Sequence, residues 1–113
     1  MKRKIIVYRD RFNKFYNAQN LKTQLKIEYV LDIIRFEKHI PAKFLKYLIN
    51  SEGIYEIRII TTFKNIRILC FFDQEDLVVL TNCFVKKTNK TPNSEIRMAK
   101  KIKQEYLINK YGG

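Results

Sequence analysis

The apolar positions of the chain change their period at Gly53. Before it, "KIIVYR" at residues 4–9 is a β-branched and aromatic run that ends at Asp10 and reads as a first strand. Phe12, Phe15 and Tyr16 follow at helical spacing in a short helix. Behind Asn20, which suits an N-cap, Leu21, Leu25, Tyr29, Ile33, Phe36 and Ile40 recur at helical intervals, with Ile27, Leu31 and Ile34 widening the stripe. This pattern predicts a long helix closed by Pro41. "PAKFLKYLI" then predicts another short helical turn or two with Pro41 at its first position.

From Gly53 the period is two. "GIYEIRIITTF", "NIRILCFFD" and "DLVVLTNCFVKK" are β-rich runs separated by "KN" and "QE", a spacing that suits consecutive hairpins in an antiparallel meander. Helix returns with "TPNSEIRMAKKIKQEYLINKY", where Ile96, Ala99, Ile102 and Tyr106 form one face. Thr91 is the expected N-cap, Pro92 the first helical residue, and Glu95 complements the dipole in the first turn. The order predicts an α+β fold with the helices segregated to one face of the sheet.

Strand phase sorts the polar side chains. Glu56 and Arg58 share one face while Tyr55, Ile57 and Ile59 share the other, the expected core face; Arg67 alternates against Ile66 and Ile68. Burying an unpaired cation is costly, so both arginines are expected to point away from the core. An open sheet face with Glu56 paired to an arginine explains the pattern as well as a functional site does.

Composition narrows the class. With 113 residues the chain is expected to form one domain over 1–113, and 46% apolar content with 7 Tyr and 8 Phe supports a packed core. No apolar stretch approaches the ~20 residues of a membrane span, and "MKRKIIVYRD" is too short in its apolar part for a signal peptide, so a cytoplasmic location without membrane contact is expected. Cys70 and Cys83 lie in apolar runs outside any CxxC pair and read as buried thiols; His39 reads as a helix-end residue. Neither a metal nor a cofactor is expected.

A formal net charge of +12 changes the picture more, because it favours a polyanionic partner. Residues 1–17 carry six cations and one acid, residues 84–103 seven and one, and residues 18–83 nine against eight. The excess thus sits in two blocks, which would form one phosphate-tracking face if folding joined them.

The runs "GIYEIRI", "IRILCFF" and "LVVLTNCFVKKTNKTPNSEIRMAKK" together resemble the HigB-type toxins of the RelE/ParE superfamily. There a Tyr-Glu-Leu-Arg-like strand, an arginine strand and a Phe-x-Lys-Lys-Thr-x-Lys-Thr-Pro segment occur in that order. The resemblance is close over residues 53–101. It implies helices packed on an antiparallel sheet, and a toxin of a type II toxin–antitoxin module that cleaves messenger RNA on the ribosome. A cognate antitoxin with a helix-turn-helix domain would silence it and supply any contact with operator DNA. The ParE branch instead poisons DNA gyrase, and a noncatalytic RNA-binding module is a third reading.

Metal-free RNA cleavage by the ribose 2′-hydroxyl needs proton transfer and stabilisation of extra phosphate charge. Arg58 and Arg67 on neighbouring strands are the first candidates, since a guanidinium fork suits phosphate and stays charged. Lys86 and Lys87 leave the last strand on opposite faces, so one of them is expected at the site. Glu56 reads either as a base or as a structural partner of Arg58. Lys90, with Thr88, Thr91 and Lys64, is expected to hold RNA backbone, aided by the N-terminal end of the last helix. Tyr106 reads as core, and Tyr111 is unconstrained by pattern.

Overall fold

The computed structural model describes residues 2–112. In chain order the elements are β1 (Lys4–Val7), α1 (Arg11–Asn17), α2 (Leu21–Phe36), β2 (Leu45–Tyr47), β3 (Tyr55–Ile60), β4 (Asn65–Phe72), β5 (Leu77–Val85) and α3 (Asn93–Tyr111). The α+β class, the meander of β3, β4 and β5 and the final helix are as the periodicity predicts. The five strands form one sheet in the order β1-β5-β4-β3-β2. Strand β1 lies parallel to β5, which makes the sheet mixed, and the remaining pairs are antiparallel.

Three local expectations are corrected. Helix α2 ends at Phe36, short of Pro41, and the segment expected to turn helical after Pro41 instead supplies the edge strand β2. Its Leu45-Lys46-Tyr47 pairs with β3, so ladder hydrogen bonds prevail over the helical reading. The helices also lie on both faces of the sheet. One core joins α1 and α2, through Phe12, Ile27, Val30, Leu31 and Ile34, to Ile57, Ile59, Ile66, Ile68, Val78 and Leu80. A second core on the opposite face joins α3, through Ala99 and Tyr106, to Leu48, Ile54, Leu69, Phe71 and Val79. Strands whose residues on both faces are apolar need a cover on each side, and α3 is the second cover.

Helix α2 has its expected cap: the Asn20 side chain accepts from the Thr23 amide at 2.9 Å. Its buried face is Ile27, Val30, Leu31 and Ile34, whereas Leu21, Leu25, Tyr29 and Phe36 of the expected main stripe are exposed. The helix carries two apolar stripes, and the sheet receives the one rich in β-branched residues. Burying each such side chain contributes roughly 1.5–3 kcal/mol.

Candidate nucleic-acid interface

Register places the charged strand residues together. Arg58 of β3 lies directly across from Arg67 of β4, and Lys46 of β2 lies across from Glu56 of β3. These side chains share the α3 face, beyond the N-terminal end of that helix. The arginines do point away from the α1–α2 core, but their face is not an open one. Arg67 is only 7% exposed, and Glu56 only 1%.

Glu56 is the hub. Its Oε1 accepts from Arg58 Nε at 3.2 Å and lies 3.4 Å from Arg67 Nε. Its Oε2 accepts from the Thr91 hydroxyl. Thr91 therefore does not cap α3 as expected; Pro92 occupies the N-cap position, and its carbonyl accepts from the Glu95 and Ile96 amides at 3.1 and 3.2 Å. The carboxylate prevails over capping because it is buried and needs donors on both oxygens.

Arg67 is less well satisfied. One terminal nitrogen donates to the Ile66 carbonyl at 3.2 Å, but its contact with Glu56 lacks hydrogen-bond geometry. Arg67 Nε is the one buried side-chain polar atom among the described residues without a hydrogen-bond partner. Burial pushes the Arg67 guanidinium down from its ordinary pKa, Glu56 opposes this, and Arg58 adds to it. The cluster can thus accept a further anionic acceptor.

A bulge in β5 settles which lysine joins. Ile68 pairs with Cys83 and Cys70 with Leu80, so two steps on β4 match three on β5. Thr81 and Asn82 fill the irregularity: the Thr81 hydroxyl donates to the Leu69 carbonyl at 2.9 Å, and Asn82 Nδ2 donates to the Glu95 carboxylate at 2.9 Å. Before the bulge Leu80 faces the α1–α2 core; after it Cys83 does, which sends Phe84 to the α3 face. The Lys86 amide extends the ladder to the Asn65 carbonyl, so Lys86 follows Phe84 to the arginine side. Partial burial lowers the Lys86 pKa; Glu56 opposes this, while Arg67, Arg58 and Lys46 reinforce it. Lys87 is exposed.

The remaining candidates lie apart. Lys64 donates to Gln19 at 2.7 Å, and Gln19 belongs to the α1–α2 connection. The Thr88 hydroxyl donates to the Lys90 carbonyl at 2.9 Å and shapes the loop, from which Lys87 and Lys90 project as exposed cations. Lys46 was missed by sequence reasoning; the alternation in Leu45-Lys46-Tyr47 was its only signal. The charges that shift Lys86 most come from Glu56, Arg67, Arg58 and Lys46, all of them outside the first basic block.

Cys70 is buried, Cys83 partly so, and burial raises both thiols, Cys83 to about 12, which makes them poor nucleophiles. His39 is exposed and lies three residues beyond α2.

The family described as phage-derived protein Gp49-like (DUF891) matches residues 14–104, from α1 into α3. The chain belongs to this family. Gp49-like proteins are toxin-like, of the RelE/ParE type. All of Lys46, Glu56, Arg58, Arg67, Lys86 and Thr91 fall inside the matched span of this Gp49-like chain. None of the curated proteins matches it. No described helix is long and apolar enough to cross a membrane.

Proposed function

We propose that this Gp49-like protein is a HigB-type toxin of a type II toxin–antitoxin module, and that it cuts messenger RNA on the ribosome without a cofactor. The observation that carries the reading is the buried, incompletely paired Arg67 beside Arg58 and a lysine of lowered pKa. A cytoplasmic site of action and a helix-turn-helix antitoxin, which alone contacts operator DNA, belong to the same reading.

In this mechanism the 2′-oxygen of the ribose forms a bond to phosphorus as the bond to the 5′-oxygen breaks, leaving a 2′,3′-cyclic phosphate and a free 5′-hydroxyl. Arg58 and Arg67 hold the non-bridging oxygens and stabilise the added charge. Their field also favours loss of the 2′-hydroxyl proton to solvent. Lys86, a stronger acid than an ordinary lysine, delivers a proton to the departing 5′-oxygen. Glu56 is a positioning residue rather than the base, because Arg58 and Thr91 already occupy its oxygens and it is closed to solvent. Lys46, Lys87 and Lys90 attract neighbouring phosphates, with Thr88 shaping the loop that presents them. Thr91 fixes Glu56, and Lys64 anchors the β3–β4 turn instead of binding RNA.

The test compares induction of the wild type with Arg58→Ala and Arg67→Lys in cells. Wild-type induction is expected to arrest growth and cut transcripts within translated codons. Arg58→Ala is expected to reduce cleavage by about 10²–10³-fold with an unchanged circular dichroism spectrum. Undiminished cleavage in both variants would remove the arginines from the site. Supercoiling defects with intact transcripts would move the case to gyrase, and RNA retention without cutting would make the protein a binding module.

A further inference from the structure

The lysines of the chain differ in what surrounds their ammonium groups. Lys64 donates to Gln19 and Lys103 to the Glu52 carbonyl, each at 2.7 Å. Lys110 donates to Asp73 at 2.7 Å, and that carboxylate holds it well above the ordinary lysine pKa. Lys87 and Lys90 stand in water. Lys86 alone among these is half-buried against mainly cationic neighbours, with Arg67, Arg58 and Lys46 set against the single carboxylate of Glu56. Partial burial and these cations favour its neutral form, and a neutral amine is a nucleophile.

What such an amine would attack is set by its neighbours. Arg58 and Arg67 are directly opposed on β3 and β4, and Lys86 continues β5 on the same face. Adjacent strands lie about 4.8 Å apart, so a phosphate group held by the two guanidiniums sits within reach of the lysine stem. Arg67 Nε has no hydrogen-bond partner, so this guanidinium has unused donor capacity for an arriving anion. A phosphate that carries a carbonyl on its bridging oxygen would bring that carbonyl beside Lys86. Acyl phosphates have this arrangement. An acyl thioester of a nucleotide carrier does not, because its phosphates lie far from the acyl carbon.

We propose that Lys86 is a self-acylation site for small acyl phosphates held by Arg58 and Arg67, and that acylation silences the site. The amine nitrogen forms a bond to the carbonyl carbon as the bond from that carbon to the phosphate oxygen breaks. The phosphate leaves with the electron pair, its charge held by the two guanidiniums, and the proton of the amine passes to solvent. The product is a neutral amide, which neither delivers a proton to a departing oxygen nor attracts phosphate. The silencing rests on the RNA-cleavage reading; the acylation does not.

The test incubates the full chain with acetyl phosphate and, separately, with N-hydroxysuccinimidyl acetate, an acyl donor without phosphate, and follows each lysine by peptide mass spectrometry. Acetyl phosphate is expected to label Lys86 about tenfold faster than Lys87 and Lys90. Inorganic phosphate in the wild-type chain and Arg58→Ala are each expected to remove that preference, and the phosphate-free donor is expected to favour the exposed Lys87 and Lys90. Labelling of Lys86 no faster than that of Lys87 and Lys90 overturns the proposal. So does a preference that survives saturating phosphate, or one that the phosphate-free donor reproduces, because the phosphate would then play no part in addressing the lysine. The acetylated chain is expected to lose roughly 10²-fold in cleavage rate, and undiminished cleavage overturns the silencing. If the unmodified chain leaves RNA intact while Lys86 is still labelled, the cleavage reading fails and the acylation site stands.

Discussion

An ammonium that gives up its proton readily needs a partly dry setting and cationic neighbours, and Lys86 has both. As the general acid it must be protonated, so activity is lost as pH rises through its lowered pKa, below the ordinary lysine value. Lys86→Arg keeps the charge but not the acidity; it is expected to retain RNA affinity, lose roughly 10²-fold or more in cleavage rate, and abolish that alkaline fall. Lys87→Ala is expected to weaken binding modestly and leave the pH profile unchanged. Single-turnover cleavage measured across pH checks both. That Glu56, Arg58 and Arg67 turn away from the α1–α2 core was legible from strand alternation, because period two places polar residues on one face wherever the strand stands, whereas their candidacy as a site came with the resemblance. The choice between Lys86 and Lys87 was not legible, because it depends on a register shift caused by hydrogen bonds of Thr81 and Asn82 to partners distant in sequence.

At the scale of elements, α2 shows how much periodicity leaves open. Leu21, Leu25 and Tyr29 repeat as regularly as Ile27, Leu31 and Ile34, and a helical repeat states that a face is apolar without stating what covers it. Ile27→Ala is expected to cost about 2–5 kcal/mol, since Ile27 is fully buried, whereas Leu25→Ala should cost under about 1 kcal/mol. Urea unfolding of the two variants separates them, and a reversed order would exchange the two faces. Strand β2 was illegible for a related reason: three residues at a sheet edge are too few to establish a period, and Pro41 gives a competing helical signal.

Across the whole molecule, α3 is tied to the sheet at both ends. Near its start, Asn82 holds Glu95. Near its far end, Asp73, just past β4, accepts from the Tyr106 hydroxyl at 2.6 Å, Lys110 at 2.7 Å and the Tyr111 hydroxyl at 2.7 Å. Tyr106 is thus core as its spacing predicts, and Tyr111 gains a role that no pattern disclosed. Burial alone would raise the Asp73 pKa, but the three hydrogen bonds outweigh it and hold the carboxyl at about 2, against an ordinary 3.8. A depressed carboxyl stabilises the fold fully above its unfolded pKa and loses that contribution as pH falls through the folded value. Thermal stability is therefore expected to drop between pH 4 and pH 2 more steeply in the wild type than in Asp73→Asn, which should itself be weaker by about 1–3 kcal/mol near neutrality. Calorimetric melting over that range checks the sign. Net charge was legible from composition, but its placement was not: the cluster joins Lys86 of the second basic block to Lys46, Glu56, Arg58 and Arg67 of the nearly neutral central stretch, which only the pairing of β2, β3, β4 and β5 condenses into one spot.

The irregularity in β5 makes chain length, rather than residue identity, the sensitive variable of that strand. Side chains alternate sides, so a change of one residue upstream acts as a change of parity for everything downstream. Removing Val85, beyond the bulge that Thr81 and Asn82 hold, would keep every cation in the protein while exchanging the positions of Lys86 and Lys87 relative to the arginines. Homologous β5 strands should therefore tolerate substitution more readily than single-residue gain or loss.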